Sequence, residues 1–443
     1  MKYDGIISKI KPTKDDRAIE ERVIKRVFEV LSNYEVEPVL VGSLAKDTDL
    51  KDNKDIDVFI QFKPEVERKK LETEGLRIGK EVFKRLGVEF EIDYAEHPYV
   101  KGVFEGFSIE IVPCYSGAEI LSAVDRSTLH TEYVKKKLSK NKINDEIRLL
   151  KLFMMGVGVY GAEAKVEGFS GYLVELLTIY YGSFEGVLKS ARGWNIPVIL
   201  DIENLWDRPE SIVKFFTKAD IVVVDPVDRT RNVAAAVSTE CLSKFMVKSA
   251  EFLGKQSIDF FFPPEKPVKS VEELEGIMKS RGTKFFALVF KHEKINENTL
   301  YAQLRKTSKQ LVRDLEDMEF TVFKHGFHTN EKDTSAIILE FEVHELPELV
   351  HHIGPPTNLD AVHQERFTTK YANEKPYIKD GRWVVDTKRK HTNARTALDE
   401  LVNKKDGFGK NFREWNKPEV VEGKEIMTVE CEGLLKYINE HVD

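Results

Sequence analysis

Two aspartates, Asp55 and Asp57, stand one residue apart in 55-DIDVFIQF-62, a segment whose alternation otherwise reads as a β-strand. Carboxylates are disfavoured in strands. Strand side chains alternate faces, so both acids point the same way, roughly 7 Å apart, while Ile56, Val58 and Ile60 take the opposite face. Carboxylates that close raise each other's pKa unless a cation sits between them. Mg²⁺ is the oxygen-seeking ion that suits such a pair together with substrate phosphates. A third carboxylate on a neighbouring strand would complete a two-ion site for phosphoryl or nucleotidyl transfer. Glu110 of 107-FSIEIVPCY-115 is the leading candidate, and Asp93 of 91-EID-93 a weaker substitute. Upstream, Gly42-Ser43 closes an apolar run. The Gly admits a close backbone approach, the short helix after it offers N–H groups to an anion, and Lys46 adds a positive charge one turn later.

Each of these signals is common when taken singly, because D-x-D also marks solvated strand edges and Gly-Ser also marks turns. Their order is what makes them informative, and that order depends on the elements around them. Apolar residues recur at helical spacing from Asp15 to Tyr34 (Ile19, Val23, Ile24, Val27, Phe28, Leu31). Val39–Val41 reads as a short strand ended by Gly42, and a charged helix spans Glu65 to Leu86. Three strands follow in 89-EFEIDYAEH-97, 98-PYVKGVF-104 and 107-FSIEIVPCY-115, with Glu105-Gly106 suited to a tight hairpin turn. This is an α/β unit over the first 135 or so residues.

The run 133-YVKKKLSKNK-142 reads as a basic linker or helix edge. The pattern is then mostly helical to about Glu251 (146–161 and 169–191), interrupted by one apolar strand, 221-IVVVDPV-227. The prolines of 262-FPPEKP-267 suggest a boundary. Beyond them come a strand at 284–290, a helix at 297–317, strands at 320–327 and 335–343, and a second helix near Leu346–Ile353. That β-α-β-β-α order is similar to a ferredoxin-like or RNA-recognition module, although the aromatic pattern needed to stack bases is absent.

Composition narrows the classes. The chain has 443 residues, a net charge of −7 and three cysteines far apart in sequence. It carries no disulfide framework and no metal-ligand cysteine spacing, which fits a reducing compartment. Neither a signal-peptide core nor a membrane-length apolar run is present. The acidic balance argues weakly against non-specific polyanion binding but permits a local basic patch.

The set GS-x(11)-DID, AEHPYV, IVPCY, SAVDRSTLH, EIRLLK, VYGAE, GFSGYLVELL and VDPVDRTRNVAAAVS strongly resembles the archaeal-class CCA-adding enzymes, tRNA nucleotidyltransferases of the polymerase-β-like superfamily. The match is dense from about residue 15 to 260 and collinear to the C-terminus. The resemblance implies a cytoplasmic Mg²⁺-dependent polymerase that adds or repairs the 3′-terminal CCA of tRNA from CTP and ATP without a nucleic-acid template, releasing pyrophosphate. It places the metal acids, two ions between them, on Asp55, Asp57 and Glu110. It places nucleotide contacts on Gly42, Ser43, Lys46, His130, Lys151 and Tyr160, and a base-reading arginine on Arg231. The family form has Glu at Asp55, Arg at Lys46 and Asp at Glu110. A lysine there gives up bidentate phosphate binding. On residue chemistry alone, Arg231 suits a structural ion pair with Asp225 or Asp228 equally well.

The expected architecture is α+β and multidomain: a polymerase-β-like nucleotidyltransferase domain over 1–136, a mostly helical central domain over 137–260, a ferredoxin/RRM-like body over 261–353 and an α/β tail over 354–443 whose last segment can return to the body. The partners expected are CTP, ATP and the acceptor end and elbow of tRNA, with a homodimer left open and no membrane. An A-form stem is read by shape and backbone, so dispersed basic positions are expected. The stretch 382-RWVVDTKRKHTNAR-395 has five Lys or Arg against one Asp, and Lys388, Arg389, Lys390 and Arg395 are its candidate phosphate contacts. Two alternatives stay open at this point: another template-independent ribonucleotidyltransferase of the poly(A)- or oligoadenylate-type, and a non-catalytic RNA-binding protein.

Overall fold

The structure, a computed structural model, describes residues 3–94, 96–117 and 119–442. The chain divides between Pro264 and Glu265, inside the proline run, into two compact units.

In the first unit, β1 (Glu37–Val41), β2 (Asp55–Phe62), β3 (Phe90–Tyr94), β4 (Pro98–Phe104) and β5 (Phe107–Tyr115) form one sheet in the order β1-β2-β5-β4-β3. Only β2 and β5 run parallel. Parallel neighbours need a long crossover, and the helix Arg68–Leu86 with the β3–β4 hairpin supplies it. The helices Lys14–Leu31 and Arg68–Leu86 bury Val23, Val27, Leu31, Ile78, Val82 and Phe83 against Ile56, Val58, Ile60, Ile109 and Ile111 of the sheet. Each such side chain contributes about 1.5–3 kcal/mol by leaving water. This fixes which face of β2 and β5 is apolar and leaves the other for polar groups. The first helix starts at a capping box between Thr13 and Asp16. Glu105 and Gly106 have φ of 49° and 82°, the positive pair that a two-residue hairpin turn needs.

The basic run 133–142 is helix rather than linker. It lies in Arg126–Asn141, which buries Thr131, Val134 and Leu138 and leaves Lys135, Lys136 and Lys140 exposed. That helix also runs across residues 136 and 137, where the sequence pattern parts the first two domains. The segment 169–191 is two helices, Gly171–Tyr181 and Phe184–Ala191, and the Ser183 side chain caps the second. These helices join Asn144–Gly156 and Thr239–Gly254 around Leu149, Phe153, Leu173, Phe184 and Phe245. The strand expected at 221–227 has two companions that the sequence pattern does not show. β6 (Val198–Leu200), β7 (Ile221–Asp225) and β8 (Asp228–Asn232) form a sheet in that order. A three-residue strand and the polar DRTRN carry no usable period.

In the second unit, β9 (Lys284–Lys291), β10 (Thr321–Thr329) and β11 (Thr334–Val343) lie in a sheet ordered β10-β11-β9. Both faces of β9 are covered. Phe286, Leu288 and Phe290 meet Leu300, Leu304, Leu311 and Leu315 of the helix Glu297–Asp317. Phe285, Ala287 and Val289 meet Leu274 of the helix Val271–Ser280 and Ile438 of the helix Leu434–Val442.

The helix expected near Leu346–Ile353 is instead β12 (Leu349–Pro356). It pairs with β14 (Arg382–Lys388), which also pairs with β13 (Tyr377–Lys379). A short apolar run does not distinguish the two states, and Pro355-Pro356 suits a strand end better than a helix. The second helix of the β-α-β-β-α path is Ala394–Lys404. The last strand, β15 (Glu419–Glu422), lies antiparallel beside β9. No helix among the described residues is long and apolar enough to cross a membrane.

Candidate active site

The pleat of β2 sends Ile56, Val58 and Ile60 into the core and Asp55 and Asp57 to the open face. The parallel register with β5 sets Asp57 opposite Glu110 and Asp55 opposite Ser108. On the far side of Glu110, β4 brings up Lys101, and the Tyr99 hydroxyl lies 3.4 Å from Glu110 Oε1. The three acids are thus one cluster on two hydrogen-bonded strands. Asp93 stands apart, with its carboxylate 3.0 Å from Lys101 Nζ.

Gly42 ends β1, whose Val41 pairs with Asp57. Its φ is +75°, and a Cβ placed there would lie 1.9 Å from Asp57 Oδ2. Both facts require glycine. The turn therefore brings backbone against the carboxylate, with Ser43 next in the short helix Gly42–Ala45.

Burial, followed by the charge of Asp55, pushes the Asp57 carboxyl up to about 6. Burial, followed by the charge of Asp57, pushes Glu110 up to about 7. Burial raises Asp55 as well. Lys46 opposes the shift at Asp57, and Lys101 the shift at Glu110. The cluster carries more negative charge than its surroundings balance, and all its donors are carboxylate oxygens, so it fits a hard divalent cation. Among the described residues no three His, Cys, Asp or Glu side chains converge closely enough to cage an ion as they stand.

Ser43, Lys46, His130, Lys151 and Tyr160 fall along two cavities. One, of about 460 Å³, is lined by Gly42, Lys46, Asp57, Glu110, His130 and Tyr172. The second, of about 440 Å³, is lined by Ser43, Asn53, Asp55, Lys151 and Tyr160. Lys46 and Lys151 are both buried and share one partner. Glu175 Oε2 is 2.6 Å from Lys46 Nζ, and Glu175 Oε1 is 3.4 Å from Lys151 Nζ.

Glu175 belongs to the helix Gly171–Tyr181 and was missed by sequence reasoning. Its signal was available: a lone acid inside the apolar run GYLVELLTIYY is almost never buried unless paired. The loop between Lys46 and Asp55 is anchored a second time by Arg148, which is fully buried. Its guanidinium donates to the Asp49 carbonyl and to Asp145, both at 2.8 Å, and pairs with Asp47.

His130 donates its Nε2–H to Asp225 Oδ2 at 2.8 Å, and its ring stacks on Tyr172 at 3.9 Å between centroids. Burial pushes the imidazole pKa down, against the pull of Asp225. Arg231 donates to the same Asp225 oxygen at 2.8 Å, while Asp228 takes Arg126 at 2.9 Å. Of the two acids offered to Arg231 by its own hairpin, the structure selects Asp225. Arg231 lies on neither cavity wall, but it is tied through Asp225 to His130, which does.

In the second unit Lys388 ends β14 exposed. Arg389 is paired with Glu319 and Lys390 with Glu400, and Arg395 lies 3.4 Å from Asp399.

A model of the nucleotidyltransferase domain matches residues 21–143, one of the tRNA nucleotidyltransferase second domain matches 145–262, and one of the CCA-adding enzyme C-terminal domain matches 281–423. The chain is 37% identical to the CCA-adding enzyme of Methanothermobacter thermautotrophicus, covering 91% of this chain and 88% of that protein. It is 36% identical to that of Methanosarcina mazei, covering 99% and 97%. It is 37% identical to that of Pyrobaculum neutrophilum, covering 87% and 89%. The chain belongs to the CCA-adding enzyme family. Its first domain has the polymerase-β-like nucleotidyltransferase fold, within a multidomain chain of mixed α/β content. The nucleotidyltransferase match contains Gly42, the three acids and His130. The second-domain match contains Lys151, Tyr160, Glu175, Asp225 and Arg231.

Proposed function

We propose that the protein adds or restores C, C and A at the 3′ end of tRNA, taking CTP and ATP and releasing pyrophosphate. The carrying observation is the placement of Asp57 opposite Glu110 on paired strands beside a turn that only Gly42 can make, in a chain of this family. Asp55 and Asp57 would hold two Mg²⁺ ions, and Glu110 would help hold the one nearer the primer. When bound, the ions would activate the primer hydroxyl and offset charge on the triphosphate.

The chain supplies the positioning on which phosphoryl-type transfer mainly depends. Gly42 and Ser43 bring backbone N–H and hydroxyl groups to the phosphates. Lys46 and Lys151 bring positive charge to the two cavities. Tyr160 closes one wall, and the neutral His130 ring offers a nucleotide contact rather than an added charge. Arg231 would read the incoming base once it exchanges Asp225 for substrate.

In the second unit, the path β9, Glu297–Asp317, β10, β11, Ala394–Lys404, β15 supports a ferredoxin-like body, with β12 to β14 inserted as a tail. Lys388 at the end of β14, Arg389 and Lys390 just after it, and Arg395 on the helix Ala394–Lys404 would meet tRNA phosphates. The direct test is to incubate the protein with tRNA lacking CCA, Mg²⁺, and labelled CTP and ATP. Extension by three nucleotides, abolished in Asp57→Ala, is expected. No extension, or extension unaffected by Asp57→Ala, overturns the reading, and a long homopolymer tail would point to a poly(A)-type enzyme.

A further inference from the structure

Glu175 sits outside the acid cluster, yet it is the point through which both buried lysines are held. It is fully buried. Beyond its two lysine contacts, its Oε1 accepts from the Thr48 hydroxyl at 2.5 Å. Lys151 Nζ donates in turn to the Thr48 carbonyl at 2.9 Å and to the Thr48 hydroxyl at 3.2 Å. The network is closed, with Lys46 and Thr48 from the loop after the Gly-Ser turn, Lys151 from the helix Asn144–Gly156 and Glu175 from the helix Gly171–Tyr181.

The charge balance is uneven, since two ammonium groups share one carboxylate. The nearby Asp49, whose charge reaches Lys151, is engaged through both oxygens by Arg17 at 2.8 and 2.9 Å, so it is not a direct partner of either lysine. Taken by itself the group of three is one positive charge in excess, held where Lys46 faces the cavity of Asp57 and Glu110 and Lys151 faces that of Ser43 and Asp55. A buried charge that is only partly neutralised is costly, so the arrangement favours an incoming anion that spans both cavities.

We propose that Glu175 is a positioning residue of the nucleotide site, fixing Lys46 and Lys151 as a cationic pair that meets the triphosphate from two sides. The proposal rests on the nucleotidyl-transfer reading above. Without Glu175, Lys46 is left in a buried site where Asp57 already feels its charge. The lysine would then compete for the acid intended for metal. Lys151 would lose the partner that offsets its desolvation.

The experiment compares Glu175→Gln and Glu175→Asp with the unaltered full chain, reading KM for CTP, for ATP and for tRNA separately, with thermal melts as control. Glu175→Gln should raise KM for both nucleotides about tenfold or more while leaving KM for tRNA within about twofold, and Glu175→Asp should recover part of the loss. If Glu175→Gln folds poorly, the double variant Lys46→Gln/Glu175→Gln removes the ammonium stranded at Lys46 and leaves only Lys151 without its carboxylate. Its nucleotide KM should exceed that of Lys46→Gln alone, in which Glu175 still holds Lys151.

A folded Glu175→Gln with unchanged nucleotide KM overturns the proposal. So does a rise shared equally by tRNA, or a double variant whose nucleotide KM only equals that of Lys46→Gln. Asp57→Ala run in parallel separates the two failures. Activity surviving that substitution defeats the nucleotidyl-transfer reading itself, whereas its loss alongside an indifferent Glu175→Gln defeats only the role of Glu175.

Discussion

Two carboxylates in this chain are each shared by two lysines, and their surroundings are opposite. Glu175 is sealed in the first unit between Lys46 and Lys151, whose side chains are 7% and 3% exposed. Glu400, in the second unit, takes Lys390 and Lys404, whose side chains are 69% and 54% exposed, together with His391. Hydrogen bonds from Lys390, Lys404 and His391 pull Glu400 down to about 2. At Glu175 the largest influence is burial, which pushes the carboxyl up, and the two lysines together outweigh it. The same three groups thus do different work. At the surface, water and salt stand ready to replace any partner. In the interior, losing a partner leaves a bare charge. A count of basic residues in sequence does not separate the two cases, because the partners of Lys46 and Lys390 become visible only in three dimensions.

The largest effect that would break this contrast concerns backbone rather than charge. Gly42→Ala inserts a Cβ 1.9 Å from Asp57 Oδ2 at a φ of +75°. Displacing a reacting group by about 1 Å costs about 100-fold in rate, so nucleotide incorporation should fall by at least that. Gly381, in the β13–β14 turn, has a similar φ of +72° but nothing within 4 Å. Gly381→Ala should therefore cost about 1 kcal/mol of stability and leave incorporation near its original rate. Equal losses of activity in the two variants would show that the close packing behind Asp57 is not what matters.

The next effect is on stability. Arg148 is fully buried with three acceptors. Removing one partner of such a network costs about 3–5 kcal/mol, so Arg148→Met should lower the unfolding free energy by that amount, read as a fall in the denaturant midpoint. Lys404→Met, which leaves Glu400 with Lys390 and His391, should not move the midpoint measurably. A mild Arg148→Met would mean that water reaches the loop and that the interior cluster behaves like the surface one.

How far the sequence foretold this site follows from the range of each interaction. β2 at 55–62 and the helix at 297–317 appear with the boundaries expected from their periods, because alternation and helical spacing are local signals. Asp55, Asp57, Gly42 and Ser43 lie within one such local unit, and the register that brings Glu110 to Asp57 follows from one parallel pairing. β6, β8 and β12 were lost because short or polar strands are stabilised by neighbours far along the chain. Glu175 was lost for the same reason: its partners Lys46 and Thr48 are 129 and 127 residues away. Arg231 had two local partners on offer, and the choice between them depended on His130 and Tyr172 arriving from other helices.

The acid pair gives a smaller effect whose sign is specific. Asp57 is raised from 3.8 to about 6. A carboxyl raised in the folded state costs nothing below its unfolded pKa, where both states hold the proton. The cost builds between pH 4 and 6 and is complete above the folded pKa. A rise of about two units corresponds to about 3 kcal/mol at most. Asp57→Asn should therefore be inactive yet more stable than the unaltered protein at pH 8 in chelator, with the advantage fading as pH falls toward 4. Mg²⁺ should raise the melting temperature of the unaltered protein and leave that of Asp57→Asn alone. If Asp57→Asn is less stable at pH 8 in chelator, the acid is serving the fold rather than waiting for a cation.

The smallest effect tests the surface half of the contrast. Glu400→Gln removes the anion that Lys390 and Lys404 now share and adds one unit of positive charge beside Lys388 and Arg389. If this surface meets tRNA phosphates, affinity should rise a few-fold at low salt, and the slope of log affinity against log salt should steepen by at most about one unit. Lys390→Ala should move both quantities the opposite way, and neither variant should shift the melting temperature. Exchange is the reason to expect this. A phosphate arriving at an exposed lysine has only to replace a solvated carboxylate, so weakening the carboxylate strengthens the contact. Should Glu400→Gln leave both affinity and salt slope unchanged, Lys390 does not face the RNA, and the basic stretch is a solvated surface run held together by neighbouring acids.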